Sequence, residues 1–154
     1  MLGRFGANGG KLRRLELPAC FGNISPTTWN TDEGVELASL RELVLDGGAT
    51  GNFFATLADA WFLPQLRELS LASTSIFAER FDPLLSVDAP ALERLSLRDC
   101  EGLRAALFEK LARSKLLRNV TWLDVGGRTD LRAEVIEGVG PRVAEAMRAA
   151  GWPR

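Results

Sequence analysis

One short pattern recurs along the chain and restricts its possible folds more than any other feature. Leu12-Arg-Arg-Leu15-Glu-Leu17 returns as Leu40-Arg-Glu-Leu43-Val-Leu45, as Leu66-Arg-Glu-Leu69-Ser-Leu71 and as Leu92-Glu-Arg-Leu95-Ser-Leu97. A fifth, degenerate copy reads Val120-Thr-Trp-Leu123-Asp-Val125. The copies begin at positions 12, 40, 66, 92 and 120, spaced 28, 26, 26 and 28 residues apart. Leucine fills all twelve apolar slots of the first four copies. Periods in this range mark stacked units, each unable to bury its own apolar face and all sharing one core. Inside each copy, leucine-x-leucine has the period of two of a strand, so the intervening residues take the opposite face.

The segments between the copies read as helices and turns. In Glu101 to Arg118, Leu103, Leu107, Leu111 and Leu117 recur at helical spacing. Asn52 is the expected N-cap of a helix over Phe53 to Phe62, and Pro64 stops that helix before the next strand. Pro83 predicts that the third connector, residues 75–90, breaks into two short turns. In the first connector only Thr31 to Ala38 reads as helical, the remainder being rich in turn formers. Strand, crossover and parallel strand in one sheet connect right-handedly, so the stack should be a right-handed solenoid. After the fifth copy, residues 129–154 read as two amphipathic helices split at Gly138 to Pro141. Leu131, Val135 and Val139 would cover the last strand as a C-terminal cap.

The repeats resemble the leucine-rich-repeat family, whose pattern L-x-x-L-x-L-x-x-N/C-x-L gives each repeat one strand. The resemblance spans nearly the whole chain, residues 1–154 as one domain, and the period is similar to the ribonuclease-inhibitor-like subclass. It implies an α/β solenoid with about five parallel strands on a concave face and helices on the convex face. The family's asparagine or cysteine position is met by Cys20 and Cys100, with Gly48, Thr74 and Arg128 elsewhere, and its last leucine only by Ile76. Those departures predict irregular turns between secure strands. The closing segment also resembles that of bacterial cytoplasmic members.

Composition removes several functional classes. The net charge of -1 and pI near 5.6 lack the basic footprint by which nucleic-acid binders displace counterions, so no nucleic acid is expected. No stretch has the apolar length of a membrane span, and the N-terminal residues lack a signal peptide's apolar region, so a cytoplasmic protein is expected. Arginine outnumbers lysine 16 to 3, pointing to a GC-rich bacterial source. The chain has no histidine, and Cys20 and Cys100 have no metal-ligand spacing, so neither catalysis nor a cofactor or metal is expected. Both cysteines belong at inward turn positions, buried and reduced. GANGG, DGGATGN and VGG lack phosphate-loop signatures and read as turns.

What remains is recognition of another protein, through side chains that a repeat surface can vary without changing the fold. The outward columns are Arg14, Glu42, Glu68, Arg94, Trp122; Glu16, Val44, Ser70, Ser96, Asp124; and Pro18, Asp46, Ala72, Arg98, Gly126. Parallel register should pair Arg14 with Glu42 and Glu68 with Arg94, leaving Asp46 and Arg98 unpaired and Trp122 free to stack. Candidate contacts are therefore Trp122, Arg98, Arg94, Asp46, Glu42, Glu68 and Asp124, centred on the C-terminal half. Trp29, Trp61 and Trp152 read as packing residues. Eleven residues, four of them glycine, precede the first repeat. They are too few to shield its edge, so self-association through that strand is expected. The competing expectation is a structural piece of a longer repeat protein with no binding surface of its own.

Overall fold

A computed structural model describes residues 12–17, 37–47, 53–127, 131, 138 and 140–152. Expectations for Cys20, Trp29, Asn52, residues 31–36, Val135 and Val139 lie outside them.

Each leucine pattern supplies one three-residue strand: β1 Arg14–Glu16, β2 Glu42–Val44, β3 Glu68–Ser70, β4 Arg94–Ser96 and β5 Trp122–Asp124. The five strands form one sheet in chain order, every neighbouring pair parallel. Helices alternate with the later strands: α1 Phe53–Ala58, α2 Ala78–Leu85, α3 Ala105–Ala112 and, after β5, α4 Pro141–Ala149. No described helix is long and apolar enough to cross a membrane.

Register follows from the repeat. Leu15, Leu43, Leu69, Leu95 and Leu123 are consecutive partners across the sheet. The last four are fully buried, whereas Leu15, on the terminal rung, is only partly so. Flanking leucines such as Leu66 and Leu71, Leu92 and Leu97 complete the same core. The helices and the turn after α1 close it with aromatic rings: Phe62, Phe81 and Phe108 are fully buried, and Phe54 meets Phe81 edge to face at 5.0 Å. At the end of the stack, Val143 and Met147 of α4, with Leu131, join the core beside β5. Arg142 anchors α4 by donating to the Leu117 carbonyl at 2.6 Å and to that of Arg118.

Two turns repeat as faithfully as the strands. Before each of β2 to β5 the chain makes the same tight bend, in which Leu40, Leu66, Leu92 and Val120 donate to the carbonyls of Leu37, Leu63, Ala89 and Leu117, at 2.9 to 3.2 Å. After these strands Gly47, Ser73, Asp99 and Gly127 all take positive φ, 76°, 56°, 56° and 88°. Gly47, Ser73 and Asp99 then donate their N–H to the next repeat at 2.7 to 2.8 Å. The turns are thus more regular than the varied asparagine or cysteine position predicts, because backbone shape and hydrogen bonding carry the repeat there.

Other expectations need correction. Pro83 does not split its connector: α2 runs from Ala78 through Leu85 with the proline inside. The ring deletes only the bond to the Glu79 carbonyl, and both residues are on the exposed side, where water is available to that oxygen. The helices are also shorter than periodicity predicts. α1 stops at Ala58 and Leu63–Gln65 forms a separate 3₁₀ turn, while α3 spans only 105–112 of the segment 101–118. Trp61 is half-exposed rather than packed, whereas Trp152 lies against the core.

These packing relations set stability. Phe81→Ala should cost about 3 to 5 kcal/mol, the range for a buried phenylalanine that leaves a cavity. A Cβ on Gly127, at φ +88°, would sit 1.8 Å from Asp99 Oδ1. Gly127→Ala should therefore cost at least the roughly 1 to 2 kcal/mol of a left-handed L-residue, while Ser73→Gly should change stability by less than about 1 kcal/mol. Urea unfolding of the three variants checks the order.

Candidate functional site

The sheet's leucine face is covered by helices; its other face carries the outward columns. In the first column the pairs form as expected. Arg14 donates to Glu42 at 2.9 Å, and Arg94 lies 3.5 Å from Glu68. The Arg94 guanidinium also sits over the Trp122 ring, 4.3 Å from its centroid. Glu68, Arg94 and Trp122 thus form a continuous, partly exposed cluster on the last three strands. Here the register converts three separated sequence positions into one surface.

The second and third columns differ from their sequence reading. Asp46 is not unpaired: its Oδ1 accepts from the Ser70 hydroxyl at 2.6 Å and from the Ala72 N–H at 3.2 Å. Arg98 is not unpaired either, reaching Asp124 at 3.4 Å and Asp99 at 3.8 Å. Asp124 points away from the core yet is only 7% exposed, and it also accepts the Gly126 N–H at 2.9 Å. Val44 and Ser70, at 7% and 9%, are shielded in the same column. A flat sheet of side chains at rung spacing leaves the middle column under its longer neighbours, so outward does not mean accessible.

Sequence reasoning missed Asp99, which offers Arg98 a second carboxylate, and Gly126 and Gly127, whose missing side chains let the Asp124 turn and the Asp99 turn approach. The glycine pair was the available signal. Glu42 and Glu68 are direct neighbours on the sheet, but each faces its own arginine.

Cys100 is fully buried and donates its thiol to the Leu71 carbonyl at 3.1 Å, as the inward turn position requires. Burial pushes the thiol up to about 12, against a smaller opposing hydrogen bond from the Thr74 backbone. The reactive thiolate is therefore scarce at neutral pH. Among the described residues, no group of three or more histidine, cysteine, aspartate or glutamate side chains is placed to hold a metal ion. On the helix side a groove of about 510 Å³ separates α2 from α3, crossed by Lys110 paired with Asp82 at 3.3 Å.

Comparisons with models of known families, with curated proteins and with solved structures each find no match.

The thiol gives a direct check. In a Cys20→Ser variant, Cys100 should react slowly with a water-soluble disulfide reagent when native and at once in denaturant. Because the folded thiol holds its proton to higher pH than the unfolded one, this group favours folding at neutral pH. That contribution should fall as pH rises above the ordinary thiol range toward 12. Cys100→Ala should reduce this alkaline component of the urea midpoint.

Proposed function

We propose that the chain is a leucine-rich-repeat solenoid of the ribonuclease-inhibitor-like type, right-handed, whose open strand face binds another protein. The reading rests on the repeat, on the five in-order parallel strands, and on the recurrence of both turns at repeat spacing. A rigid stack of this kind presents side chains at fixed spacing without requiring them for the core.

The observation that carries the binding assignment is the Arg94–Trp122 stack. Tryptophan and arginine most often dominate interfaces when they cluster where water is excluded. Here the two are already ordered against each other, and Glu68 fixes the far side of the guanidinium. Less conformational entropy is then lost on binding than for two free side chains. Glu42 and Asp46 extend the surface toward the N-terminal strands, and the Arg98–Asp124 pair lies in the neighbouring columns. Asp124, deprived of Arg98, would keep only its backbone partner, so Arg98 is a stability residue as much as a contact.

Photocrosslinking from position 122 supplies partner candidates for affinity measurement. Trp122→Ala and Arg94→Ala should each weaken that partner by about 1 to 3 kcal/mol with little change in melting temperature. Lys110→Ala, on the helix side, should leave affinity unchanged, its half-exposed ion pair being worth about 0 to 1 kcal/mol. Arg98→Ala should lower stability by about 1 kcal/mol or more. Affinity that survives both Trp122→Ala and Arg94→Ala but falls with Lys110→Ala would move the site to the helix side.

A further inference from the structure

The residue immediately before each strand forms a column of its own along the leading rim of the sheet. Arg13, Arg41, Arg67, Glu93 and Thr121 occupy it in order, locked by backbone bonds. Arg41 donates to the Arg13 carbonyl at 2.8 Å, Arg67 to that of Arg41 at 2.8 Å, Glu93 to that of Arg67 at 2.9 Å and Thr121 to that of Glu93 at 2.9 Å. Three arginines therefore stand on consecutive rungs, their Cα atoms about 4.8 Å apart along the sheet.

Like charges on facing positions repel, and sheets relieve this with an opposite charge on the next strand. The adjacent column does so, in the pairs Arg14–Glu42 and Glu68–Arg94. The rim does not. Among the described residues no carboxylate lies within ion-pair distance of Arg13, Arg41 or Arg67, and Glu93 on the following rung is not close enough to Arg67. Arg13 and Arg67 are exposed. Arg41 is half-buried and donates one Nη to the Ala38 and Leu40 carbonyls, at 3.3 and 2.8 Å, which holds its side chain against the preceding turn. Among the described residues the rim thus sets three guanidinium groups in a row with no ion-pair partner, although the chain's net charge is -1.

We propose that this rim binds an acidic polypeptide segment in extended form, at a surface distinct from the Arg94–Trp122 cluster. In an extended chain alternate side chains lie about 7 Å apart on one side, so two carboxylates fall within the span of the three rungs. Guanidinium groups match carboxylates in bidentate geometry. A nucleic acid fits less well. It needs a continuous basic track and stacking platforms, whereas Glu93 ends this stripe and Glu42 and Glu68 flank it.

The test uses the full chain and a fluorescent eight-residue peptide of alternating glutamate and serine. Binding should saturate at low ionic strength and weaken as salt is raised. The double variant Arg13→Gln with Arg67→Gln should weaken it at least tenfold, and Arg67→Glu alone should do so without a change in melting profile. Arg104→Gln with Arg113→Gln, equal in charge but at the two ends of α3, should change it less than twofold, and Trp122→Ala should leave it unaltered. Absence of peptide binding overturns the proposal. So does equal weakening by the rim and α3 pairs, or tighter binding of a single-stranded oligonucleotide of the same charge.

Discussion

The column of leucines at 43, 69, 95 and 123 is the interaction on which the rest depends. Three-residue strands supply too few hydrogen bonds to be stable alone, and helices of six to nine residues are below the length at which helices persist in water. Each element exists because a leucine from every rung seats in one core with the phenylalanines of the helices. Truncating one such leucine removes the support of two neighbouring rungs, a loss of about 2 to 5 kcal/mol for a buried leucine. Because the column fixes register, it also fixes which outward side chains meet, and Arg94 is set over Trp122 by the placement of Leu95 beside Leu123.

The turns keep that register from drifting. At the leading edge of the last four copies an apolar residue three positions before the copy accepts the bond that bends the chain into the strand. Leu63, Ala89 and Leu117 are buried as they do so. At the trailing edge four left-handed residues direct the chain back toward the helices, two of them glycine and two, Ser73 and Asp99, accepting strain of about 1 to 2 kcal/mol. Side chains reinforce the same link: Gln65 donates to the Leu37 carbonyl at 2.7 Å and Asn119 to that of Pro90 at 2.9 Å, each spanning one repeat.

Strand positions, register and the first column of ion pairs were legible because they depend only on the repeat and on a period of two. Apolar residues at 37, 63, 89 and 117 carried the leading turn in plain view, yet the leucine pattern draws attention away from them. The second and third columns were not legible. Whether Asp46 is free depends on Ser70, one rung away, presenting a hydroxyl rather than a methyl at the right height, and Arg98 had two carboxylates within reach of a flexible side chain. Helix ends were hidden for a similar reason. Pro83 acts as a breaker only where its lost hydrogen bond cannot be replaced, and that depends on which side of α2 faces solvent.

Native-state hydrogen exchange, read by NMR at single amides, addresses the leucine column most directly. Leu45, Leu71 and Leu97 donate to the next rung at 2.7 to 2.9 Å from inside the core. Their amides should exchange together, at the rate of global unfolding, with Leu17 on the partly exposed terminal strand exchanging faster. If these strand amides exchange independently and quickly while the helix amides remain protected, the leucine ladder is not what holds the protein together and the account fails.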